Sequence, residues 1–559
     1  MTTLPIDRRG VLGLVGAGTA SVLPGCATTA ASAGPLRFDH GVASGDPAAD
    51  GAVIWTRVTR SGGGAGGDVP LRWTVSAAPG GAPVRRGTVM ARAAADHTAK
   101  AEVTGLAAGR DHWYRFVAPD GSVSPEGRFR TLPVGPVDET VFAVASCQLY
   151  PGGYFNAYAD MAALPRLDAV LMLGDYIYEY GVDGYGADIG RRLGRLPDPA
   201  HETVTLADYR RRHAQVKSDP DMQAAHARAA FICVWDDHEV TNDGWIGGAE
   251  NHRAETQGSW AARKAAAMQA YFEWMPIRDP AAGRSQTAIY RAFEFGDLAT
   301  LAMVETRLLA RDEQAAFKGD VPGADEIARV LRIRDEPGRE LLGAAQSRWL
   351  EGVLARSARA GKPWQVIGNQ TIMARVDGPD LRRALGEDGY RAALARVPEQ
   401  FRARLEQAQA AYRAGVPFNL DAWDGYPHAR ERLYRLFARA GCRPVVVSGD
   451  SHAAWANNLH DAAGTLRALE AGCTAITSPS YGSVLPGLGR VLAAANAEVA
   501  YCNQDAKGYT LLTLTPQEAR AEFIAVSSVT ERPFTRSVDA AFAARPGAGG
   551  GAWHRPVRR

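Results

Sequence analysis

The segment Ala169-Val170-Leu171-Met172-Leu173-Gly174-Asp175-Tyr176-Ile177-Tyr178-Glu179 decides the reading of this chain. Five apolar residues run without interruption and stop at Gly-Asp. A short continuous apolar run closed by a turn signal is the pattern of a strand covered on both faces. The same pattern recurs on either side of it. Strands are predicted over 141–145, 169–173, 230–234, 298–304, 364–367 and 444–447, with helical stretches between them over 206–215, 258–274, 344–360 and 397–414. Buried strands alternating with helices imply an α/β layered domain.

In open α/β sheets ligands bind beyond the carboxyl ends of the strands, and five of these strands end in unusual polar clusters. They are Ser146-Cys147-Gln148, Gly174 to Glu179, Trp235-Asp236-Asp237-His238-Glu239, Gly368-Asn369-Gln370 and Gly449-Asp450-Ser451-His452. Any one of them alone reads as a turn or cap. Five in order, rich in Asp, His, Tyr and Cys, point to a shared reaction centre.

Before this domain, residues 34–133 read as all-β. Alternating or apolar segments (Ala52 to Trp55, Leu71 to Val75, His112 to Phe116) are separated by Gly/Pro-rich turns such as Ser61 to Gly67 and Pro79 to Pro83. The turn at Leu106 to Gly109, followed by a Tyr-containing strand, is similar to the corner of immunoglobulin-like and fibronectin-like sandwiches. Leu132-Pro133-Val134-Gly135-Pro136 marks the boundary. The expected domains are an export signal over 1–33, a β-sandwich over 34–133, a catalytic domain over 137–530 and a flexible or docking tail over 531–559.

Arg8-Arg9 followed by the apolar run from Val11 to Leu23 is the layout of an export signal, and the run is too short for the ~20 residues of a membrane span. The paired arginines suggest the twin-arginine export machinery. Cleavage after Ala31-Ser32-Ala33 and lipidation of Cys26 in Leu23-Pro24-Gly25-Cys26 are both open, so the expected location is periplasmic, cell-surface or extracellular.

The 559 residues carry 63 basic and 61 acidic side chains, a net charge of +2, with 46% hydrophobic and 22% charged residues. Such a chain is globular, and nothing in its charge suggests a nucleic-acid platform. Its six cysteines form no CxxC pair, which leaves a zinc ribbon unsupported. Cys233, inside Phe231 to Val234, reads as a buried small hydrophobe. There is no GxxxxGK[ST] loop. Gly449-Asp450-Ser451 superficially matches a serine-esterase motif, but it lies near the wrong end of its domain and has no Asp-x-x-His partner.

The order of the clusters matches the five-motif plan of metallophosphatases. The strings GDYIYE (174–179) and WDDHE (235–239), with Cys147 and Gly449 to His452, resemble the PhoD-type alkaline phosphatase family. The resemblance extends over about residues 36–530 through His40 to Pro47, Val53 to Arg57, Asp208 to Arg210, Trp260 to Lys264, Thr306-Arg307, Asp421 to Tyr426 and Gly508-Tyr509. Glu305 stands where that family has Asp before Thr-Arg, which leaves the role of this position open.

The resemblance implies an α/β/β/α-layered metallophosphatase-like domain behind a small all-β sandwich. It implies hydrolysis of phosphate monoesters, and in the wider family diesters, by in-line attack of metal-activated water. It also implies a ferric ion held by Cys147 and Tyr178 together with calcium ions, with Asp175 bridging. Thiolate and phenolate suit Fe3+, and carboxylate oxygens suit Ca2+. Asp237, Asp450 and His452 would complete the cage, with Asn369 a weaker ligand. His238 would meet the phosphate or protonate the leaving oxygen, its alternative being a histidine packed in a turn. Arg307 would clamp phosphate oxygens, its alternative being a structural salt bridge, and Asp236 would orient a ligand. Competing readings are a phosphodiesterase or phospholipase D-like enzyme acting on diesters or phospholipids, and a non-catalytic envelope module. Oligomeric state is not legible.

Overall fold

The structure is a computed structural model describing residues 34–60, 66–318, 323–397, 399–547 and 551–556. The export segment with Cys26 and Ala31-Ser32-Ala33, most of the Ser61–Gly67 turn and parts of the C-terminal stretch lie outside the described residues.

All six buried strands form, at Thr140–Ala145, Ala169–Met172, Ala230–Cys233, Ala299–Met303, Trp364–Gly368 and Val445–Ser448. The first three pair in parallel in a nine-stranded sheet. The other three pair in parallel in a seven-stranded sheet. Successive side chains on a strand point to opposite faces, and the packing of the second sheet follows from this. Val366, Val445 and Val447 join the core shared with Leu171 and Phe142 of the first sheet. Their neighbours Ile367 and Val446 pack with Leu350, Leu354 and Phe437 of the helices Gly343–Arg359 and Pro427–Ala440. On the outer side of the first sheet, Met161 and Met222 come from the helices Asn156–Ala163 and Pro220–Arg228. The result is the α/β/β/α layering expected, and every core strand is covered on both faces.

The N-terminal region is a β-sandwich, with Ile54 and Val103 of one sheet packing on Leu71, Val75 and Phe116 of a four-stranded sheet. This region also shares a sheet with the one that follows residue 133. The strands Val42–Ala48, Gly51–Arg57 and Thr98–Val103 continue the nine-stranded catalytic sheet, joined where Gly45 pairs in parallel with Phe231. A Cβ on Gly45 would lie 2.2 Å from the Pro276 carbonyl oxygen and 2.5 Å from that of Phe231, so only glycine lets these strands meet.

The expected tail over 531–559 is corrected. Arg536–Ala544 is the edge strand of the nine-stranded sheet, its inward residues Ala540 and Phe542 buried against Phe523. Beyond it Trp553 is buried, donating its backbone N–H to Asn458 Oδ1 (2.8 Å) and its indole N–H to the Glu470 carbonyl (2.9 Å). The strand, RSVDAAFAA over 536–544, is a weak apolar alternation of small residues that needs its partner strand to be visible.

Candidate metal centre

Parallel strands deliver their carboxyl-terminal loops to one end of the two sheets. Short backbone bonds then lace these loops together. Cys147 N–H donates to the Gly174 carbonyl (3.2 Å), Gln148 N–H to Asp175 O (3.0 Å), and Gly449 N–H to Gln370 O (2.7 Å). Gly174, at φ +120°, is a second obligatory glycine, because a Cβ there would meet the Asp236 nitrogen at 2.4 Å. Of the eight non-glycine residues with positive φ among the described residues, Cys147, Asp175, Asp243, Asp450 and His452 all belong to this end of the molecule. Left-handed backbone is costly for such residues and gathers where a site over-determines it.

Three groups of side chains bring ligand-type atoms within 4.8 Å of one another: Cys147, Asp175 and His452; Asp175, Asp237 and His238; and Asp236, Asp237 and Asp450. Asp175 belongs to the first two and Asp237 to the last two, so the groups form a chain linked by shared carboxylates. Tyr178 joins the first group. Its hydroxyl donates to Asp175 Oδ2 (2.8 Å), lies 2.7 Å from Ser478 Oγ and is 3.4 Å from His452 Nε2.

The electrostatics of this chain suit a cation. Asp175 Oδ1 and Asp237 Oδ1 are buried without a hydrogen-bond partner. Burial, with Asp237 and Asp236 adding like charge, pushes the Asp175 carboxyl well up. Burial and the nearby carboxylates of Asp175 and Asp450 do the same to the Cys147 thiol. Buried acids crowded in this way hold protons unless positive charge is supplied, and a metal ion inverts that preference. His452 is pushed down to about 3 by burial, which keeps its imidazole neutral as a metal ligand requires. Its Nδ1 donates to the Pro479 carbonyl (2.7 Å), which leaves Nε2 for the centre.

His238 is arranged differently. Its Nδ1 lies 2.7 Å from Glu179 Oε2. Glu179 Oε1 is itself fixed by Thr241 Oγ1 (3.0 Å) and the Asn242 N–H (2.8 Å). Burial opposes charge on this imidazole, but Glu179, Asp237 and Asp175 outweigh it and raise its pKa well above the ordinary value. The ring rests on Tyr178, with centroids 4.2 Å apart. The ring is thus fixed against a buried carboxylate and stands in the second ligand group with Asp175 and Asp237.

Two of the expected roles, the Arg307 clamp and the Asn369 ligand, are not carried by the geometry. The Arg307 guanidinium is wholly buried and ion-paired, with Nε on Asp236, Nη1 on Asp421 (2.7 Å) and Nη2 3.4 Å from Asp450. It neutralises the acid cluster from beneath, and the structural salt bridge replaces the phosphate clamp. Asp236 is tied to Arg307, which also reaches Asp450, and its carboxylate stands in the third ligand group. Asn369 is spent on protein partners: its amide nitrogen donates to Thr371 O and to Ser448 Oγ (3.2 Å), and its oxygen accepts from Trp423 Nε1 (3.2 Å).

Glu305 accepts from the N–H groups of Arg307 (2.9 Å), Leu308 (2.6 Å) and Leu309 (3.0 Å) and from Trp235 Nε1 (2.9 Å). The position left open by the sequence thus fixes the turn that carries Arg307. Glu179 and Glu239, which end the strings GDYIYE and WDDHE, carry roles that the sequence does not assign. Glu239 holds the N–H groups of Asp175 (3.1 Å), Tyr176 (2.6 Å) and Asp236 (2.8 Å) together. Asp243, Asp421 and Ser478 stand in other loops, where spacing gives no signal. Cys233 is buried as read, with its thiol pushed up to about 12. The described cysteines are all free.

Residues 142–523 match the family model described as PhoD-like phosphatase, and residues 25–133 match the one described as PhoD-like phosphatase, N-terminal domain. The chain is 34% identical over 518 residues to alkaline phosphatase D of Bacillus subtilis (strain 168), covering 90% of this chain and 80% of that protein. It superposes on the solved structure of PhoD with a TM-score of 0.76 at 32% identity, over 94% of this chain and 93% of the other.

Proposed function

The chain belongs to the PhoD-like phosphatase family and is a phosphoric ester hydrolase; from that premise we propose that it is an exported, metal-dependent phosphatase acting on small phosphate monoesters, with diesters as a second substrate class. The observation that carries this reading is the chain of three ligand groups linked through Asp175 and Asp237. Cys147, Tyr178, Asp175 and His452 offer the thiolate, phenolate, carboxylate and imidazole of an Fe3+ site, and Asp237 and Asp450 offer the hard oxygens of Ca2+ sites. A metal cluster bound there would neutralise phosphoryl oxygens and lower the pKa of bound water towards ~7.

The protein's own groups then have defined tasks. Glu179 fixes the His238 ring through Nδ1. The Nε2 proton of that ring is donated to a phosphoryl oxygen or, as the P–O bond breaks in line with the attacking water, to the leaving ester oxygen. The reaction proceeds by a single displacement with no covalent enzyme intermediate. Arg307 keeps Asp236, Asp421 and Asp450 compatible in one buried cluster. Arg8-Arg9 and the apolar run after them support export through the twin-arginine route. No described helix is long and apolar enough to cross a membrane.

Chelation of the purified protein should abolish hydrolysis of a simple aryl phosphate monoester and of the matching diester, and iron with calcium should restore both. A chelated protein that keeps its full rate would remove metal dependence from this account.

A further inference from the structure

Among the described residues two aromatic side chains are left exposed, Tyr185 at 36% and Tyr481 at 61%; the first stacks on His452, and the second lies two residues beyond the Pro479 carbonyl that His452 Nδ1 binds. Tyr185 stacks on the His452 ring at 6.2 Å and 16°, and its hydroxyl donates to the Pro479 carbonyl that also anchors His452. Tyr481 follows two residues later and opens the short turn Tyr481–Ser483. That turn is held firmly. Lys507 Nζ donates to Ser480 Oγ (2.9 Å) and to the His452 carbonyl (3.1 Å), and Ser483 N–H donates to Ser480 O (3.0 Å). Gly482 lies against the Gln504 carbonyl, where a Cβ would come within 2.2 Å. The Tyr481 ring meets Phe418 edge to face at 5.7 Å and 74°, and Phe418 leans on Tyr412 at 6.2 Å. Through Lys507, which bridges Ser480 Oγ and the His452 carbonyl, the turn that carries Tyr481 is tied to the backbone of the centre. Tyr180 stands 6.2 Å from Tyr185 and 5.4 Å from His238.

An exposed aromatic ring on a backbone this well fixed is preorganised to stack, since little freedom is lost on binding. Exposed rings of this kind offer a flat apolar surface suited to the organic part of a substrate. We propose that Tyr481, backed by Phe418 and two residues beyond the Pro479 carbonyl that Tyr185 and His452 share, is the specificity platform that receives a planar organic substituent of the phosphate ester. This inference rests on the phosphoesterase reading above.

The test uses the metal-loaded enzyme with phenyl phosphate, glycerol phosphate and dodecyl phosphate. Calorimetric binding of phenylphosphonate and methylphosphonate serves as a readout independent of turnover. In Tyr481→Ala the ratio of kcat/KM for phenyl over glycerol phosphate should fall about fivefold, through KM, and phenylphosphonate should lose affinity relative to methylphosphonate by a similar factor. Tyr481→Phe keeps the ring and should keep both ratios. Unchanged ratios in Tyr481→Ala, or an equal loss in Tyr481→Phe, would overturn the proposal. So would a loss confined to dodecyl phosphate, which would make the surface an alkyl-chain subsite. A wild-type enzyme inert towards all three esters would count against the phosphoesterase reading, and the phosphonate comparison would still decide the role of Tyr481.

Discussion

Asp175 takes left-handed backbone (φ +54°), a conformation that costs a non-glycine residue about 1–3 kcal/mol. The hydrogen bond from its N–H to Glu239 (3.1 Å) and the tight packing of Gly174 on Asp236 hold it there. In return its carboxylate reaches two ligand groups at once. Tyr178, one turn on, shows what this precision supplies. Its hydroxyl lies between Asp175, Ser478 and His452, where a phenolate could bind an iron-type ion. Tyr178→Phe should therefore abolish any visible phenolate-to-iron absorption of the purified protein and lower kcat/KM by about 10- to 100-fold. An absorption band that survives the substitution would show that Tyr178 is not a ligand. The ligand types and their order were legible because each closes an apolar run. The partners of Arg307 were not. Asp236 and Asp421 come from loops far apart in sequence, and an arginine after a strand looks the same whether it faces substrate or carboxylates. Removing such a buried partner costs about 3–5 kcal/mol, so Arg307 is as constrained as a ligand without being one.

At the scale of strands and helices, the six core strands were readable because coverage on both faces turns alternation into continuous apolar runs. How they assemble was less readable. The boundary at residue 133 is real in composition, but the strands Val42–Ala48, Gly51–Arg57 and Thr98–Val103 extend the catalytic sheet. The joint is one glycine meeting Phe231, and no local pattern announces a pairing between residues so far apart. Gly45→Ala places a methyl against two backbone carbonyls, at 2.2 Å from Pro276 and 2.5 Å from Phe231. It should destabilise the protein by about 1–3 kcal/mol, read as a lower denaturation midpoint. An unchanged midpoint would mean that the two sheet segments are not held together there. The Arg536–Ala544 edge strand escaped notice for a related reason: its partner strand, Ala519–Val526, supplies the face that makes its small residues inward.

For the whole molecule, the two large sheets contribute complementary halves of one centre. The first sheet brings Cys147, Asp175, Tyr178, Asp237 and His238. The second brings Asp450 and His452, together with the Glu305 turn and its Arg307. Two of the three groups, Cys147 with Asp175 and His452 and Asp236 with Asp237 and Asp450, draw on both sheets, so the layering that buries the core also builds the site. Trp553 pins the C-terminal segment to Asn458 and Glu470 of the second sheet, so the edge of the first sheet is tied to the second away from the loops. The central claim is that Asp175 and Asp237 make one linked metal centre of three groups. Elemental analysis of the purified wild-type protein beside Asp175→Asn tests it most directly. The account predicts more than one tightly bound metal ion per wild-type chain, with the metal lost jointly in Asp175→Asn together with about a thousandfold or more of the activity. A fully active wild-type protein without bound metal, or an Asp175→Asn protein that keeps its full metal complement, would contradict it.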